Sequence, residues 1–570
     1  MFNPINNIHF RHWRGDLFGG VTAAIVALPL ALAFGVASGA GAIAGLYGAM
    51  IVGFFAALCG GTPTQVSGPT GPMTVVVATV IATLVARHPD TGLAMAFTVV
   101  MLGGVLQILF GVMRLGQYIT LIPYTVISGF MSGIGVIIVL LQIPPLLGHT
   151  GPGGVVNTLE QLPNYLAQPN WVALGLGLLT LAIVYAMPKR FNKILPAPLV
   201  SLVVVTIVSV VFFSDVPLER IGSIPRGFPT PRFPTFSLNE LTDMFRYALM
   251  LAVLGAIDSL LTSLVADSIS RTQHDSDREL IGQGIGNLLS GLFGGLPGAG
   301  ATMRTVVNVQ SGGKTPLSGM IHAFILLVVV LQAGPLTAQI PLAVLAGLLL
   351  KVGIDILDWG FIKRSPRLSL KGTGIMYLVL LLTVFVDLIT AVLVGAFVAN
   401  MLTIKRLTDL QSDRIHAITD PTQGHNLTPR EQEILTQGQG EILLVQLGGP
   451  MSFGAAKSIT RRMAHVKQYR ALVLDLSEVP TIGVTAALAI ESIVQDAIAN
   501  HRQVWIVANP GQVQNRLEQL ELEQLTKSRK AKKGLEMAPH LVPQIHQIQN
   551  RSQALQAAFE YIRPEVLVVS

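Results

Sequence analysis

Residues 17–407 alternate between long apolar runs and short polar breaks. Runs long enough, or nearly long enough, to cross a bilayer begin at about Leu17, Ile43, Leu93, Ile119, Trp171, Lys193, Tyr247, Leu317, Ile340 and Gly374, the last holding two spans. Two shorter apolar segments, 69–86 and 299–310, differ from the rest. Each is approached through glycine and proline: Gly60-Gly61-Thr62-Pro63 with Ser67-Gly68-Pro69 before the first, Gly294-Gly295-Leu296-Pro297-Gly298 before the second. Such approaches predict half-helices that start inside the membrane. The stretches IVGFFAALCGGTPTQVSGPTGPMTVVV (51–77) and NLLSGLFGGLPGAGATMRTVV (287–307) also share one order of features, Gly-Gly, Pro, Gly and then a Thr-Val-Val helix start. Broken helices at matching places in two halves of a chain point to an inverted-repeat transporter and to its binding site.

After Leu407 the pattern changes. Residues 408–440 read as a polar linker, and 441–563 as a soluble α/β domain. EILLVQL (441–447), ALVLDL (471–476) and VWIVA (504–508) are buried strands alternating with helices from about Ala455, Thr485, Gln512 and Ser552. The fold class expected is therefore an all-α polytopic membrane domain (1–407) followed by a small soluble α/β domain.

Composition sharpens this picture. Hydrophobic residues make up 51% of the 570 and charged residues only 12%, too few polar side chains to cover a soluble protein of this size. The single cysteine, Cys59, leaves no internal disulfide and no multi-cysteine metal site. The net charge of +7 sits mostly at the edges of apolar runs, as cytoplasmic loops require, rather than on a nucleic-acid-binding face. With about 14 spans and a cytoplasmic N-terminus, the inner loops hold Arg114; Lys189, Arg190 and Lys193; Arg271 and Arg278; Lys351, Lys363, Arg364, Arg367 and Lys371; and Lys405 and Arg406. Both termini then lie in the cytoplasm of a plasma (inner) membrane protein, and 214–245 lies outside. The N-terminal segment lacks a small-residue cleavage site and reads as no removable leader. The KSRKAKK cluster at 527–533 reads as a solvated loop. Gly313-Lys314-Thr315 echoes a nucleotide loop, but Asn308 stands where a glycine is needed and Pro316 stops the helix that should follow. Gly129 and Gly133 read as a helix-packing pair, and the sequon at Asn426 is silent in a cytoplasmic segment. Nothing in the chain assembles a catalytic nucleophile and base, so an enzyme is not expected, and no cofactor is expected beyond a coupling ion.

An anion at mid-membrane needs its lost hydration replaced, and two opposed helix N-termini do so with unpaired N–H groups and about half a positive charge each. The candidate substrate-binding residues are Thr70, Gly71, Pro72 and Met73 from the first half-helix and Gly300, Ala301 and Thr302 from the second. Arg304, the one cation near either start, attracts the anion, snorkels, or pairs with an acid. Asp258, inside an apolar run with Thr262 one turn later on the same face, marks a functional site because an intramembrane carboxylate is costly. A sodium site of Asp258, Thr262, Gly300 and Thr302 follows; the alternative is a protonated acid hydrogen-bonded within the bundle. Asp387 marks the turn between the last two spans.

The run Gly45-Leu46-Tyr47-Gly48, Gly61-Thr62-Pro63 and Gly68-Pro69-Thr70-Gly71-Pro72, together with Arg278-Glu279-Leu280-Ile281-Gly282-Gln283-Gly284, Asn287, Gly294-Gly295-Leu296-Pro297, Arg304 and Gly312-Gly313-Lys314-Thr315, resembles the two conserved blocks of the SulP (sulfate permease) family of anion transporters. The C-terminal domain resembles a STAS domain. Within the family the nearest resemblance is to the cyanobacterial sodium-dependent bicarbonate transporters. The resemblance implies seven plus seven inverted spans, core and gate domains, a homodimer through the STAS domain, alternating-access Na+/HCO3− symport, and the substrate and sodium roles of the residues above. Pro29-Leu30 departs from the Pro-Gln of many members, which loosens any transfer of sulfate or chloride specificity. In the STAS-like domain Thr485 falls at the phosphorylatable position, with Gly483 and Ala486 replacing flanking family residues; it is a helix N-cap or a regulatory phosphosite for a cytoplasmic partner. A proton-coupled sulfate or oxyanion permease, an anion channel, and a membrane anchor for a signalling STAS domain remain as alternative readings.

Overall fold

The computed structural model describes residues 10–119, 123–151, 154–188, 191, 196–222, 229–332, 337–420, 422, 426–464, 466, 468–520 and 544–563. Lys189, Arg190, Lys193 and the basic cluster at 527–533 lie outside them. The chain divides into two units, Met1–Ala399 and Asn400–Ser570.

In the first unit the helices of eight residues or more are α1 (Trp13–Ala37), α2 (Ala42–Cys59), α3 (Gly71–Arg87), α4 (Gly92–Val112), α5 (Tyr124–Leu141), α6 (Val155–Ala167), α7 (Trp171–Ala186), α8 (Ala197–Phe212), α9 (Leu241–Ser270), α10 (Ser276–Leu292), α11 (Thr302–Gln310), α12 (Pro316–Gln332), α13 (Leu342–Ile356), α14 (Trp359–Leu368), α15 (Leu370–Phe385) and α16 (Leu388–Ser412), which runs on into the second unit. Among the described residues six of these are long and apolar enough to cross a membrane. The pair α6 and α7, bent by 112°, gives a seventh, and four shorter apolar helices accompany them. Setting aside the amphipathic α6 and α14, fourteen helical segments remain among the described residues, seven in each half, and the half-helices α3 and α11 stand third in each set. α10 escaped the hydropathy pattern because Asp277, Arg278, Glu279, Gln283 and Asn287 interrupt it.

Two groups of helices result. α1–α4 pack with α9–α12, while α5, α7, α8, α13 and α15 pack on one another; these are the core and the gate. Glycines set the spacing in both. A Cβ on Gly104 would lie 2.6 Å from the Gly284 carbonyl oxygen, and one on Gly129 would lie 2.4 Å from the Met376 carbonyl oxygen, so α4 and α10 touch backbone to backbone and Gly129 seats α5 against α15, the close approach that small residues permit in lipid. The Gly-Gly-Lys-Thr turn before α12 serves packing too: buried Asp16 of α1 accepts from the backbone N–H of Lys314 (2.8 Å) and Thr315 (2.9 Å) and from the Thr315 hydroxyl (2.7 Å).

In the second unit a five-stranded sheet has the order β3 (Ile415–Ile418), β4 (Ile442–Gly448), β5 (Ala471–Glu478), β6 (Gln503–Val507) and β7 (Ile545–Ile548), with β3 antiparallel and the rest parallel. One apolar cluster joins it to α18 (Phe453–Ala464), α19 (Val484–Ala499) and α20 (Gln512–Gln519). A second, on the opposite face, joins it to α17 (Pro429–Gln437) and α21 (Arg551–Ile562). The stretch 408–440 differs from the linker expected: it carries β3 and α17, whose start is closed by a capping box between Thr428 and Glu431. Both elements are short, polar outside and apolar only where they meet the sheet, so composition alone does not separate them from linker.

Candidate functional site

The approaches to the two half-helices are extended, and they cross. Ser67 and Gly68 (β1) pair antiparallel with Gly300 and Ala299 (β2). The sequence pattern placed 299–310 wholly in a helix; the structure starts α11 at Thr302 and spends Ala299 and Gly300 on the crossing. Both ends of the crossing are locked. Ala301 N donates to the Val66 carbonyl (3.0 Å), Val66 N donates to the Thr305 hydroxyl (3.0 Å), and Asn287 both donates to the Gly298 carbonyl (2.9 Å) and accepts from its N–H (2.7 Å). Gly298 has to be glycine, because a Cβ there would lie 2.6 Å from the Gly68 carbonyl carbon.

This crossing aims the starts of α3 and α11 into the middle of the bundle. At α3, Thr70 is the N-cap residue and Gly71 and Pro72 follow. Pro72 has no N–H to offer, so the free donors are those of Gly71 and Met73. The Met73 side chain is buried and turns toward α9, where a Cβ on Gly255 would meet its Cε at 3.2 Å. At α11, Ala301 is the N-cap residue, but its N–H is already given to Val66; the free donors begin at Thr302. Thr70 and Ala301 are buried, whereas Thr302 and Met303 are exposed.

α9 passes beside both starts. Its Thr262 hydroxyl lies 2.9 Å from the Gly300 carbonyl oxygen and 2.8 Å from the Thr302 hydroxyl, while Ser259 accepts from Gly300 N (3.0 Å). One turn from Thr262, Asp258 is 7% exposed and adjoins Thr70 and Arg304, and its Oδ2 is buried without a hydrogen-bond partner. Of the three fates open to Arg304, snorkelling is excluded: the residue is 3% exposed, and Nη2 donates to the Pro69 carbonyl at 2.6 Å. Thr262, Gly300 and Thr302 thus form one hydrogen-bonded set, and Asp258 lies one turn along α9 from it, next to Thr70 and Arg304. The oxygens present, one carboxylate, two hydroxyls and a carbonyl, are the hard donors that an alkali or alkaline-earth cation takes. Next to them are the free N–H groups and the positive ends of two helices, which suit an anion. Among the described residues no cluster of three or more His, Cys, Asp and Glu side chains is suited to a transition metal.

A small cavity of about 20 Å³ adjoins the α3 start, lined by Phe34, Gly71 and Thr74 from the core and Ile138, Gln142 and Leu349 from the gate. It shares lining residues, among them Val75, Leu141 and Leu349, with a vestibule of about 1020 Å³ that reaches Arg246 and Asp387. Those two charges, one on core and one on gate, stand 3.8 Å apart. Asp387 also turns the chain into α16, as its position predicted, by accepting from Thr390 N at 2.9 Å.

Residues that the sequence reading passed over hold the crossing in place. Glu279 of α10 is 1% exposed, and its carboxylate accepts from Gly61 N (2.9 Å), Thr62 N (2.9 Å), Gln65 Nε2 (2.7 Å) and Gln283 Nε2 (2.8 Å). Gln65 in turn lies against Gly300, where a Cβ would come within 2.4 Å of its Nε2. In the sequence Glu279, Gln283, Gly61 and Thr62 entered only as members of the blocks that carry the family resemblance, with no role given to them. In the second unit Thr485 is not an N-cap: Gly483 occupies that position and Thr485 is exposed in the first turn of α19.

Comparison with known proteins fits this architecture. The sulfate permease family matches residues 13–379 and the STAS domain residues 433–534. The chain is 57% identical to a protein of a Picosynechococcus strain named bicarbonate transporter BicA, over 91% of this chain and 92% of that one. Its fold matches the solved transmembrane domain of a cyanobacterial bicarbonate transporter BicA with a TM-score of 0.66 and 59% identity, covering 68% of this chain and all of that one. The murine Slc26a9 anion transporter, only 20% identical, shares the fold over 97% of this chain and 92% of its own with a TM-score of 0.78. The chain belongs to the sulfate permease family and is a polytopic membrane transporter, not an enzyme, carrying a STAS domain after its membrane helices.

Proposed function

We propose that this transporter carries bicarbonate together with Na+, both held between the starts of α3 and α11, by alternating access of the core against the gate. One observation carries the reading: Asp258, buried one helical turn from the Thr262 hydroxyl that meets Gly300 and Thr302, keeps one carboxylate oxygen without a hydrogen bond. An unpaired buried carboxylate oxygen is costly unless a cation or a proton completes it, and the neighbouring oxygens suit a hard cation. Sodium bound there turns an acidic site into one that tolerates an anion at the adjacent helix starts, so the two cargoes bind as a pair. The name of the 57%-identical relative supports bicarbonate as the anion. One Na+ with one bicarbonate is neutral cargo, so voltage contributes little and the sodium gradient supplies about 1.4 kcal/mol per tenfold ratio. The basic loops support a cytoplasmic N-terminus and a cytoplasmic STAS domain, through which a homodimer assembles. Thr485, an exposed hydroxyl in the first turn of α19, suits a regulatory phosphate, which the helix dipole would favour.

The test is uptake of labelled bicarbonate and of sulfate into proteoliposomes at fixed pH, with Na+ varied outside. Bicarbonate uptake that saturates with Na+, with sulfate inert, is expected. Uptake indifferent to Na+ but driven by an imposed proton gradient would instead assign Asp258 a proton and the protein to oxyanion–proton coupling.

A further inference from the structure

Each half of the membrane unit contains one amphipathic helix outside its seven spans, and the two occupy matching places: α6 between α5 and α7, α14 between α13 and α15. In an inverted repeat such counterparts lie at opposite faces of the membrane. Their charges differ. α6 (VVNTLEQLPNYLA) contains no lysine or arginine and one acid, Glu160. α14 (WGFIKRSPRL) contains Lys363, Arg364 and Arg367, and Lys371 stands in the first turn of α15; all four are exposed, and none has an acidic partner among the described residues.

The helix that presents these cations is held firmly. Asp358 caps its start, accepting from Phe361 N (3.0 Å) and, on its other oxygen, from the Tyr124 and Ser128 hydroxyls of α5 (both 2.8 Å); its own N–H donates to the Ser132 hydroxyl (3.2 Å). The Tyr124 ring meets Phe361 edge-on at 5.4 Å. Ser365 is buried against the bundle, so at 100° per residue Lys363 and Arg367 fall on the opposite side and Arg364 on the flank. At the margins Trp359, Leu368 and Leu370 are 47%, 71% and 79% exposed. A rigid basic face edged by an exposed tryptophan and leucines is what a membrane interface containing acidic lipid recognises: phosphate groups meet the cations while the apolar edge enters the acyl boundary. Water alone would satisfy the charges but not the leucines.

We infer that α14 binds the headgroups of anionic phospholipids and thereby fixes the gate in its leaflet. The link to the gate is direct, because Asp358 ties α14 to α5, and α5 supplies Ile138 to the cavity at Gly71.

Trp359 reports on the site. The full chain is reconstituted in vesicles containing brominated phosphatidylglycerol or brominated phosphatidylcholine, and quenching of Trp359 is taken as the difference between wild type and Trp359→Phe. Association of phosphatidylglycerol is expected to exceed that of phosphatidylcholine by about fivefold or more, the effect of roughly one well-placed cation. Lys363→Gln/Arg364→Gln/Arg367→Gln/Lys371→Gln should make the two lipids equal, and Lys363→Arg/Lys371→Arg should preserve the preference. If the fourfold variant does not insert, Arg364→Gln/Arg367→Gln should lower the preference by at least half. Equal quenching by both lipids in the wild type, or a preference that survives loss of the charges, would overturn the inference and leave the face to an acidic protein partner.

Discussion

Two buried carboxylates, one in each unit, look alike in burial and differ in everything else. Glu431, in the soluble unit, is 1% exposed, and Arg551 reaches it with two nitrogens (3.0 and 2.9 Å), Ser552 with its hydroxyl (2.7 Å) and Thr428 with its N–H (2.8 Å). Arg551 also spans to Asp475 at 3.3 Å, so one cation joins α17, β5 and α21. Asp258, in the membrane unit, keeps one oxygen, Oδ2, without a hydrogen bond, with Thr70 and Arg304 as its neighbours. A carboxylate whose acceptor sites are all filled is a structural fastener. One left open where backbone N–H groups and hydroxyls converge has room for an ion, which is the role proposed for Asp258. Glu279 sharpens the contrast, because it lies in the same membrane unit as Asp258 yet is closed by four donors. Two buried acids in the same lipid surroundings thus differ in whether their hydrogen bonds are complete.

The comparison makes Asp258 the most sensitive position for transport and the least sensitive for folding. Asp258→Asn should reduce sodium-driven bicarbonate uptake by about a hundredfold or more, the loss of about 3 kcal/mol of ion binding, while the melting temperature in detergent stays level or rises. Uptake near wild type in that variant would remove the site. Glu279→Gln should do the reverse. It turns one acceptor into a donor facing donors, so about 2–3 kcal/mol of stability should go, seen as a lower melting temperature, and uptake should fall only as far as the folded fraction does.

Glu431 carries a dependence on pH. Burial raises its pKa, but hydrogen bonds from Arg551, Thr428 and Ser552 outweigh that and hold it down at about 2, against 4.5 for a free glutamate. Its folded value is depressed, so its contribution is complete above pH 4.5 and disappears as pH falls from there through about 2. Fluorescence of Trp505 in a Trp13→Phe/Trp171→Phe/Trp359→Phe background should follow that window, and Glu431→Gln should flatten it. The smallest effect belongs to Thr302→Val. The substitution keeps the shape and removes one hydroxyl from the Thr262–Gly300–Thr302 set, worth about 1 kcal/mol; the Na+ midpoint should rise about fivefold with maximal uptake little changed. An unchanged midpoint would take Thr302 out of the sodium set.

Much of this was legible in the chain itself. Apolar runs and their flanking cations gave the membrane unit and its divided halves. The Gly/Pro approaches at 60–69 and 294–298 located both half-helices, and an acid at Asp258 with a hydroxyl one turn on gave the candidate ion site. These features are local: periodicity, backbone permissiveness and the cost of a charge in lipid act within a few residues. What local pattern could not provide was partnership. Glu279 is satisfied by Thr62 and Gln65, 217 and 214 positions away, and Ala301 gives its N–H to Val66 rather than to an anion. α10 crosses in the core because its polar face finds that network, although its hydropathy argues against a span. β3 and α17 became structure only against a sheet formed elsewhere. Burial and composition fix which groups must find partners, and the three-dimensional crossing of distant segments decides which group is left without one.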